Sequence, residues 1–371
     1  MPDKIWRPRY TLNPAVVRAL LRIEAAKEAL GLMVIPPAVG TELRRMARVR
    51  STHYSTRIEG NRLTLEEAEQ VVMGRTRTFY GRERDALEVR RYWEALLRVE
   101  EWSGGQVPLT ETLIQRLHGI VERGGRARPT PYRTGQNVIR DASSGALVYK
   151  PPEARAVPAL MAGLVAWLRA SPRAGLPVPI VAGLAHYQFV TIQPYYDGNG
   201  RTGRLLATFI LQRGGYGLNG WFSLEEHHAR DLGAYYRALA THPRHNYHAG
   251  RGRADLTPWL EYFSSCLAGV FEEVRRQALS SSSGGLKAEP QALRKLDRRA
   301  RVVLGLFARQ EMITAAEVGR LLGLSDRMAR VLIRRWVGDG WIVTADPSRR
   351  SRSYMLARSY RCFAGRQGES T

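Results

Sequence analysis

The stretch that most restricts the fold is His186 to Leu206, HYQFVTIQPYYDGNGRTGRLL. One helical run, Val178 to Ile192, breaks at Pro194, and a second starts at about Asn199 and continues to Gln212. Between them stands Asp197-Gly198-Asn199-Gly200-Arg201. Gly198 and Gly200 permit positive φ, so successive backbone N–H groups can turn inward. They sit at a helix N-terminus, where unpaired N–H groups and the macrodipole attract anions. Arg201 and Arg204 are three apart and share roughly one helix face. Two guanidiniums above such a nest make a cradle for polyphosphate. Asp197 adds a hard oxygen for a Mg²⁺ that bridges phosphate oxygens. The plain alternative is a tight turn with a solvated Asp, because Asp-Gly and Asn-Gly are common turn dipeptides.

Helical spacing recurs through the rest of a large N-terminal body. A first helix follows Asn13-Pro14, with Val17, Leu20, Leu21 and Ala25 as its apolar face, and stops near Gly31. Others are expected over 41–56, from Thr64 (a capping box with Glu67), over 87–102, over 109–121 entered through Thr110, and over 154–170. Only 136–150 reads as strand: Val138-Ile139 and Leu147-Val148-Tyr149 flank an Asp-Ala-Ser-Ser-Gly turn. A bare hairpin with no sheet to join is marginal in water, and its edge could accept a partner's extended segment. Spacing alone favours a surface excursion between helices. No run of about 18 apolar residues exists to span a membrane. The start, MPDKIWRPRYTLNP, has no signal-peptide pattern. Two cysteines, Cys266 and Cys362, cannot build a disulfide framework or a four-cysteine metal site, so a reducing, cytoplasmic location is expected. His227, His228, His242, His245 and His248 read as surface histidines rather than metal ligands, since Pro243 and Gly250 mark a loop.

The 371 residues suggest two or three domains at roughly 150 residues each. Their net charge of +23 points to a polyanionic partner, although arginine dominance also fits a GC-rich genome. The excess is concentrated in residues 291–371, with 17 basic and 7 acidic side chains. A Ser280–Gly285 run closed by Pro290 reads as a flexible linker to that module. The module reads as a helix over 298–309, a second helix opened by the Thr314/Glu317 capping box, and a third capped by Ser325. Strands at 341–343 and 354–356 follow, with Arg349-Arg350-Ser351-Arg352 between them. This is the order of a winged helix-turn-helix, a small α+β domain. Its third helix would bring Arg327, Arg330, Arg334 and Arg335 to a major groove, and its wing would bring Arg350 to the backbone or minor groove. A protein-contact role with a solvated arginine face is the alternative.

The string Gln193-Pro194-Tyr195-Tyr196-Asp197-Gly198-Asn199-Gly200-Arg201-Thr202-Gly203-Arg204 resembles the Fic (Fic/Doc) signature His-x-Phe-x-(Asp/Glu)-Gly-Asn-Gly-Arg-x-x-Arg. The likeness extends over about residues 10–270 and takes in Thr257-Pro258-Trp259-Leu260. It implies a mainly α fold: a helical bundle whose hairpin at 136–149 is a flap that docks a protein target. It divides the chain into an N-terminal helical region (1–105), a core (106–275), a linker (276–292) and the winged helix (293–365). The family's usual reaction moves AMP from ATP to a protein hydroxyl. By position, Asp197 would hold Mg²⁺, Gly198, Asn199, Gly200 and Arg201 the phosphates, and Arg204 the γ-phosphate. A homodimer is compatible with the resemblance.

Two departures matter. Gln193 stands where the family has its general base, and an amide has no usable basicity. Tyr195 stands for phenylalanine, and its hydroxyl would need a partner if buried. His186 is two turns back, roughly 10 Å along the helix at ~1.5 Å per residue, too far to replace the base, and reads as structural. The site is therefore a slow or dead transferase that still binds ATP, one with a substitute base, or an inactivated variant. Ser55-Thr56-Arg57-Ile58-Glu59-Gly60 resembles the family's inhibitory motif, which implies that Glu59 pairs with Arg204 and blocks productive ATP placement. The other reading of the chain is a DNA-binding regulator whose helical body senses nucleotide or partner.

Overall fold

The computed structural model describes residues 5–33, 35–75, 79–105, 107–125, 128–140, 144–283, 296–308, 310–346 and 352–360. The chain divides into two compact units, Met1–Gly31 with Arg44–Arg275, and Leu32–Leu43 with Arg276–Thr371.

The first unit is built around two helices, α7 (Val178–Ile192) and α8 (Asn199–Leu211). Every α7 residue from Pro179 to Ile192 is buried, His186 and Gln188 included. A helix apolar all round has to be enclosed, and here other helices surround it. The helices before it are α1 (Pro14–Leu32), α2 (Pro37–Ile58), α3 (Leu65–Val72), α4 (Glu83–Gly104), α5 (Glu111–Arg123) and α6 (Val157–Ala170); α6 packs on α7, α4 and α5 pack on α8, and α3 packs on α4. Local caps set several of their starts. Thr64 and Glu67 form a reciprocal capping box at α3, and Thr110 accepts from Leu113 N at α5. In α1 the buried face is Val16, Ala19, Ile23, Ala26 and Leu30, while Val17, Leu21 and Ala25 lie in solvent. The helix is apolar on more than one side, so its periodicity does not choose the face.

Residues 213–256, left unassigned by sequence, contain α9 (Leu224–Arg230), capped by Ser223, and α10 (Leu232–Leu239), capped by Asp231. His228 is not a surface histidine. It is fully buried, with Nδ1 3.0 Å from Tyr262 Oη. Tyr262 lies on the long α11 (Thr257–Ser283), whose Trp259 donates to Gly183 O at 2.8 Å. Among the described residues no histidine, cysteine or carboxylate group is arranged to hold a metal, and none of their helices is long and apolar enough to cross a membrane.

The hairpin pairs β1 (Ile139–Arg140) with β2 (Leu147–Tyr149), with Ile139 opposite Tyr149. Residues 141–143 of its turn lie outside the described residues. The expectation that it has no sheet to join needs correcting at its outgoing end. Lys150 N donates to His245 O at 2.8 Å and Lys150 O accepts from Tyr247 N at 3.1 Å. Tyr149 Oη donates to Thr191 O at 2.7 Å, beneath the Arg251 guanidinium.

The serines at 280–283 are not coil, because α11 continues through Ser283. Extending a formed helix avoids the nucleation cost that a free serine run would face. Residues 284–295 lie outside the described residues. In the second unit follow α12 (Arg298–Leu304), β3 (Met312–Thr314), α13 (Ala315–Leu322), α14 (Asp326–Gly338), β4 (Ile342–Asp346) and β5 (Ser353–Leu356). The strands form an antiparallel sheet in the order β3-β5-β4. Trp336, Trp341, Ile333 and Phe307 fill its core, and Trp336 Nε1 donates to Asp297, the cap of α12. The sequence missed β3, whose three residues are strand only because β5 pairs with them.

Candidate functional site

The N-terminus of α8 is the floor of the site. Gly198 caps it at φ 72°, ψ 3°, in the left-handed region that favours glycine. A Cβ there would come within 2.6 Å of Glu122 Oε1. A Cβ on Gly200 would overlap Glu59 Oε1. A carboxylate thus rests over the first turn of α8, where unpaired N–H groups and the helix dipole offer a place to an anion.

Glu59 reaches this position from just beyond the end of α2. The chain turns there through Glu59 N to Thr56 O and Gly60 N to Arg57 O, each 3.0 Å. Arg204, 3% exposed, donates to Glu59 Oε1, Ser55 Oγ and Ser55 O, all at 2.8 Å. Burial works against its charge, but Glu59 and the oxygens of Tyr235 and Tyr92 hold the guanidinium above its ordinary pKa. The expected Glu59–Arg204 pair is present, and Ser55 completes it.

Arg201, 5% exposed, faces elsewhere. It is enclosed by Glu88 of α4, by Glu122 of α5 at 3.3 Å, and by Asp197 at 3.3 Å. Burial raises the Glu122 carboxyl; Arg201 opposes that shift, and the neighbouring charges of Asp197 and Glu88 add to it. Asp197 remains 58% exposed. Its Oδ1 accepts from Gly198 N at 2.6 Å, and its Oδ2 lies 3.9 Å from the exposed Arg84. One carboxylate oxygen is thus open to solvent, which suits a hard cation.

Gln193 ends α7 with a left-handed backbone, φ 49°, ψ 62°. Its side-chain Oε1 accepts from Asn199 Nδ2 at 2.9 Å. Asn199 also donates to Tyr195 O at 2.8 Å and accepts from Tyr195 N at 3.0 Å. Its amide is therefore used within the turn, and only its backbone N–H faces the nest. Tyr195 stacks on His118 with ring centres 3.6 Å apart, and its buried hydroxyl has no hydrogen-bond partner among the described residues. His118 Nε2 lies 2.9 Å from Asp197 O. A carbonyl only accepts, so Nε2 carries the proton. Burial lowers the His118 pKa to about 4. His186 is structural, as expected: it is fully buried, 2.9 Å from Tyr235 Oη, and burial with Arg204 lowers its pKa to about 3.

The feet of the hairpin are tied to this turn. Arg133 donates to Gln193 O at 2.8 Å, Gly135 O at 2.9 Å and Pro152 O at 2.5 Å. Asn137 donates to Tyr195 O at 3.2 Å, and Gly135 N to Tyr196 Oη at 2.7 Å. Val138, Leu147 and Val148 remain exposed on the hairpin. Sequence reasoning missed Glu88, Glu122, His118 and Arg133. His118 and Glu122, four apart on α5, could have been noticed as one helix face; Glu88 and Arg133 carry no such signal.

In the second unit Arg327, Arg330 and Arg334 lie exposed along α14, and Arg335 is 4.0 Å from Asp339. Arg349, Arg350 and Ser351 lie outside the described residues.

Residues 108–211 match the model of the Fic/DOC family. The chain is 28% identical over 211 residues to protein adenylyltransferase Fic of Drosophila grimshawi, and 27% over 201 residues to that of Drosophila virilis. Each match covers 54% of this chain and 40% of the relative, so the chain spans well under half the length of these relatives. Among solved structures it is similar to a Fic family protein from Desulfovibrio desulfuricans G20, with TM-score 0.59 and 26% identity over 95% of this chain and 99% of that one. A Fic domain-containing signalling protein from Bacteroides thetaiotaomicron VPI-5482 shares the fold, with TM-score 0.59 and 22% identity over 72% of this chain and 98% of that one. Glu59 and Glu88 lie outside the family match, whereas His118, Glu122, Arg133 and the turn at 193–204 lie within it.

Proposed function

We infer that the chain, whose residues 108–211 match the Fic/DOC family, is a distant relative of protein adenylyltransferases. We propose that it binds ATP with Mg²⁺ at the N-terminus of α8, that Glu59 holds this site shut, and that transfer of AMP to a protein hydroxyl is slow or absent. The observation that carries this reading is the Glu59 carboxylate lying over Gly200 and bonded to Arg204. A carboxylate seated there indicates that the turn accepts an oxyanion, so the residues present suit a phosphate chain. The same carboxylate takes the guanidinium that a terminal phosphate would use.

In this reading Arg204 and the N–H groups of Asn199, Gly200 and Arg201 hold the phosphates, and Asp197 holds Mg²⁺, which supplies charge neutralisation when bound. Arg201 can contribute only by giving up one of its carboxylates. Gln193 stands where the Fic resemblance places the base. Losing a general base typically costs about 10²–10⁴ in rate. His118 does not replace it: its Nε2–H is held by Asp197 O, and its other ring nitrogen, Nδ1, is buried away from solvent. The hairpin, with Val138, Leu147 and Val148 exposed, would take a protein segment by strand addition.

Glu59→Gly should raise MgATP affinity at least about tenfold by calorimetry, since one bidentate-capable arginine is released. Unchanged affinity and heat would overturn the reading. With α-labelled ATP and lysate, Gln193→His in the Glu59→Gly background should label protein well above the Gln193 parent.

A second reading is favoured by α14. Its exposed Arg327, Arg330 and Arg334, within a three-helix, three-stranded unit, suit a winged helix that binds duplex DNA. The Fic domain would then act as a sensor of nucleotide or partner.

A further inference from the structure

The hydrogen-bond network at the turn decides which end of the Gln193 amide is already bound. Tyr195 N is a donor, so the Asn199 atom that meets it at 3.0 Å is its oxygen. The Asn199 amide nitrogen then points the other way, and its two hydrogens go to Tyr195 O at 2.8 Å and Gln193 Oε1 at 2.9 Å. Both donors of Asn199 are used, and Gln193 is fixed with its oxygen inward. Its Nε2 keeps two hydrogens for which no acceptor is present among the described residues.

The backbone holds this presentation rigidly. Gln193 N donates to Phe189 O at 3.1 Å, and Gln193 O accepts from Arg133 at 2.8 Å. Its left-handed φ of 49° is one that residues with a side chain seldom adopt, and such strain is kept where the surroundings over-determine it. The neighbours on the floor, the N–H groups of α8's first turn and the Arg204 guanidinium, are also donors. Beside these donors the Gln193 amide adds another, which suits an acceptor such as a phosphate oxygen, and an amide cannot take up a hydroxyl proton.

We infer that Gln193 is a nucleotide contact: its side-chain amide donates to a phosphate oxygen of the bound nucleoside triphosphate. This rests on the nucleotide site proposed above. It makes position 193 a specificity-determining residue that favours retention of the nucleotide over proton abstraction, rather than an inert remnant of a base.

The test uses the full chain in the Glu59→Gly background, with MgATP titrated by calorimetry. Gln193→Glu keeps the oxygen that Asn199 needs and removes the donor. Gln193→Met removes the donor without adding charge. Both should weaken MgATP binding at least about tenfold, the loss expected for one hydrogen bond to a charged acceptor. A smaller loss in either variant overturns the inference. Full affinity in Gln193→Glu would mean that only the Asn199 contact matters; full affinity in Gln193→Met would mean that the Glu effect is charge repulsion. Arg204→Ala in the same background separates the two layers. If it abolishes binding while the Gln193 variants do not, Gln193 is no contact and the site stands. If it too leaves binding intact, the nucleotide site itself is wrong, and the inference with it.

Discussion

Arg201 and Arg204 on α8 are 5% and 3% exposed, and each is bound by protein carboxylates. Arg327, Arg330 and Arg334 on α14 stand in solvent, with no carboxylate partner among the described residues. In the sequence both groups are arginines at helical spacing on one face, and both suggest an anion. The fold separates them by solvation. A guanidinium taken out of water needs a counter-charge at once, so any ligand of α8 has to displace a carboxylate already in place. A guanidinium left in water holds only mobile counterions, which a polyanion releases to the bulk. The first arrangement gives a gated site; the second gives an open one whose strength follows the salt concentration.

The largest effect is expected on the open side. Arg330→Ala with Arg334→Ala should weaken duplex DNA binding by about 10² or more and lower the slope of log K against log salt by about 2. A gel-shift series over several salt concentrations reads both quantities. If binding and slope are both unmoved, α14 is not a nucleic-acid surface, and the contrast between the two arginine groups loses its meaning.

The next effect probes the gated side. Gly200→Ala places a Cβ where Glu59 Oε1 lies. It should break the Glu59–Arg204 pair and cost about 2 kcal/mol, less than the roughly 3–5 kcal/mol of a fully buried pair because Glu59 is 30% exposed. In the Glu59→Gly background the same substitution should cost little. Denaturant melts of the four proteins give the coupling energy. Additive losses would show that Gly200 and Glu59 do not share that space.

What the sequence made legible follows the range of the interactions. The bounds of α7, the Thr64, Thr110, Thr314 and Ser325 caps and the turn at 197–201 rest on neighbours a few residues apart. So does the phosphate-like nest. Glu59 could be tied to Arg204 only by resemblance, since the two are 145 residues apart. The cage of Glu88 and Glu122 around Arg201 was hidden, because nothing local marks a surface-looking glutamate as the partner of a distant arginine. Two short elements were hidden for related reasons. β3 exists through β5, and His228 is buried because α9 packs its ring against Tyr262 and Tyr235. The buried Tyr195 hydroxyl was anticipated as needing a partner, and none is present among the described residues.

The smallest expected effect concerns His118, which packs beneath the turn that joins the two gated arginines. It faces Asp197, Tyr195, Arg123 and Arg201, and burial first of all lowers its pKa to about 4. The unfolded histidine takes up a proton as pH falls through about 6.5, while the folded one stays neutral until about 4. The unfolded state therefore binds more protons over that window, and stability falls as pH falls. Between pH 7 and pH 5.5 one such histidine removes about 1 kcal/mol. His186 and His228, also buried with lowered pKa, act with the same sign. His118→Gln keeps a donor for Asp197 O and cannot protonate. Its melting temperature should therefore decline less steeply over this pH range than that of the parent, by about 2–4 °C for a unit of this size. Equal pH slopes in the two proteins would mean that His118 takes up its proton over the same pH range folded as unfolded. The turn would then gain a positive charge beneath Asp197 as pH falls through that range, and the excess of carboxylates around Arg201 would be more nearly neutralised.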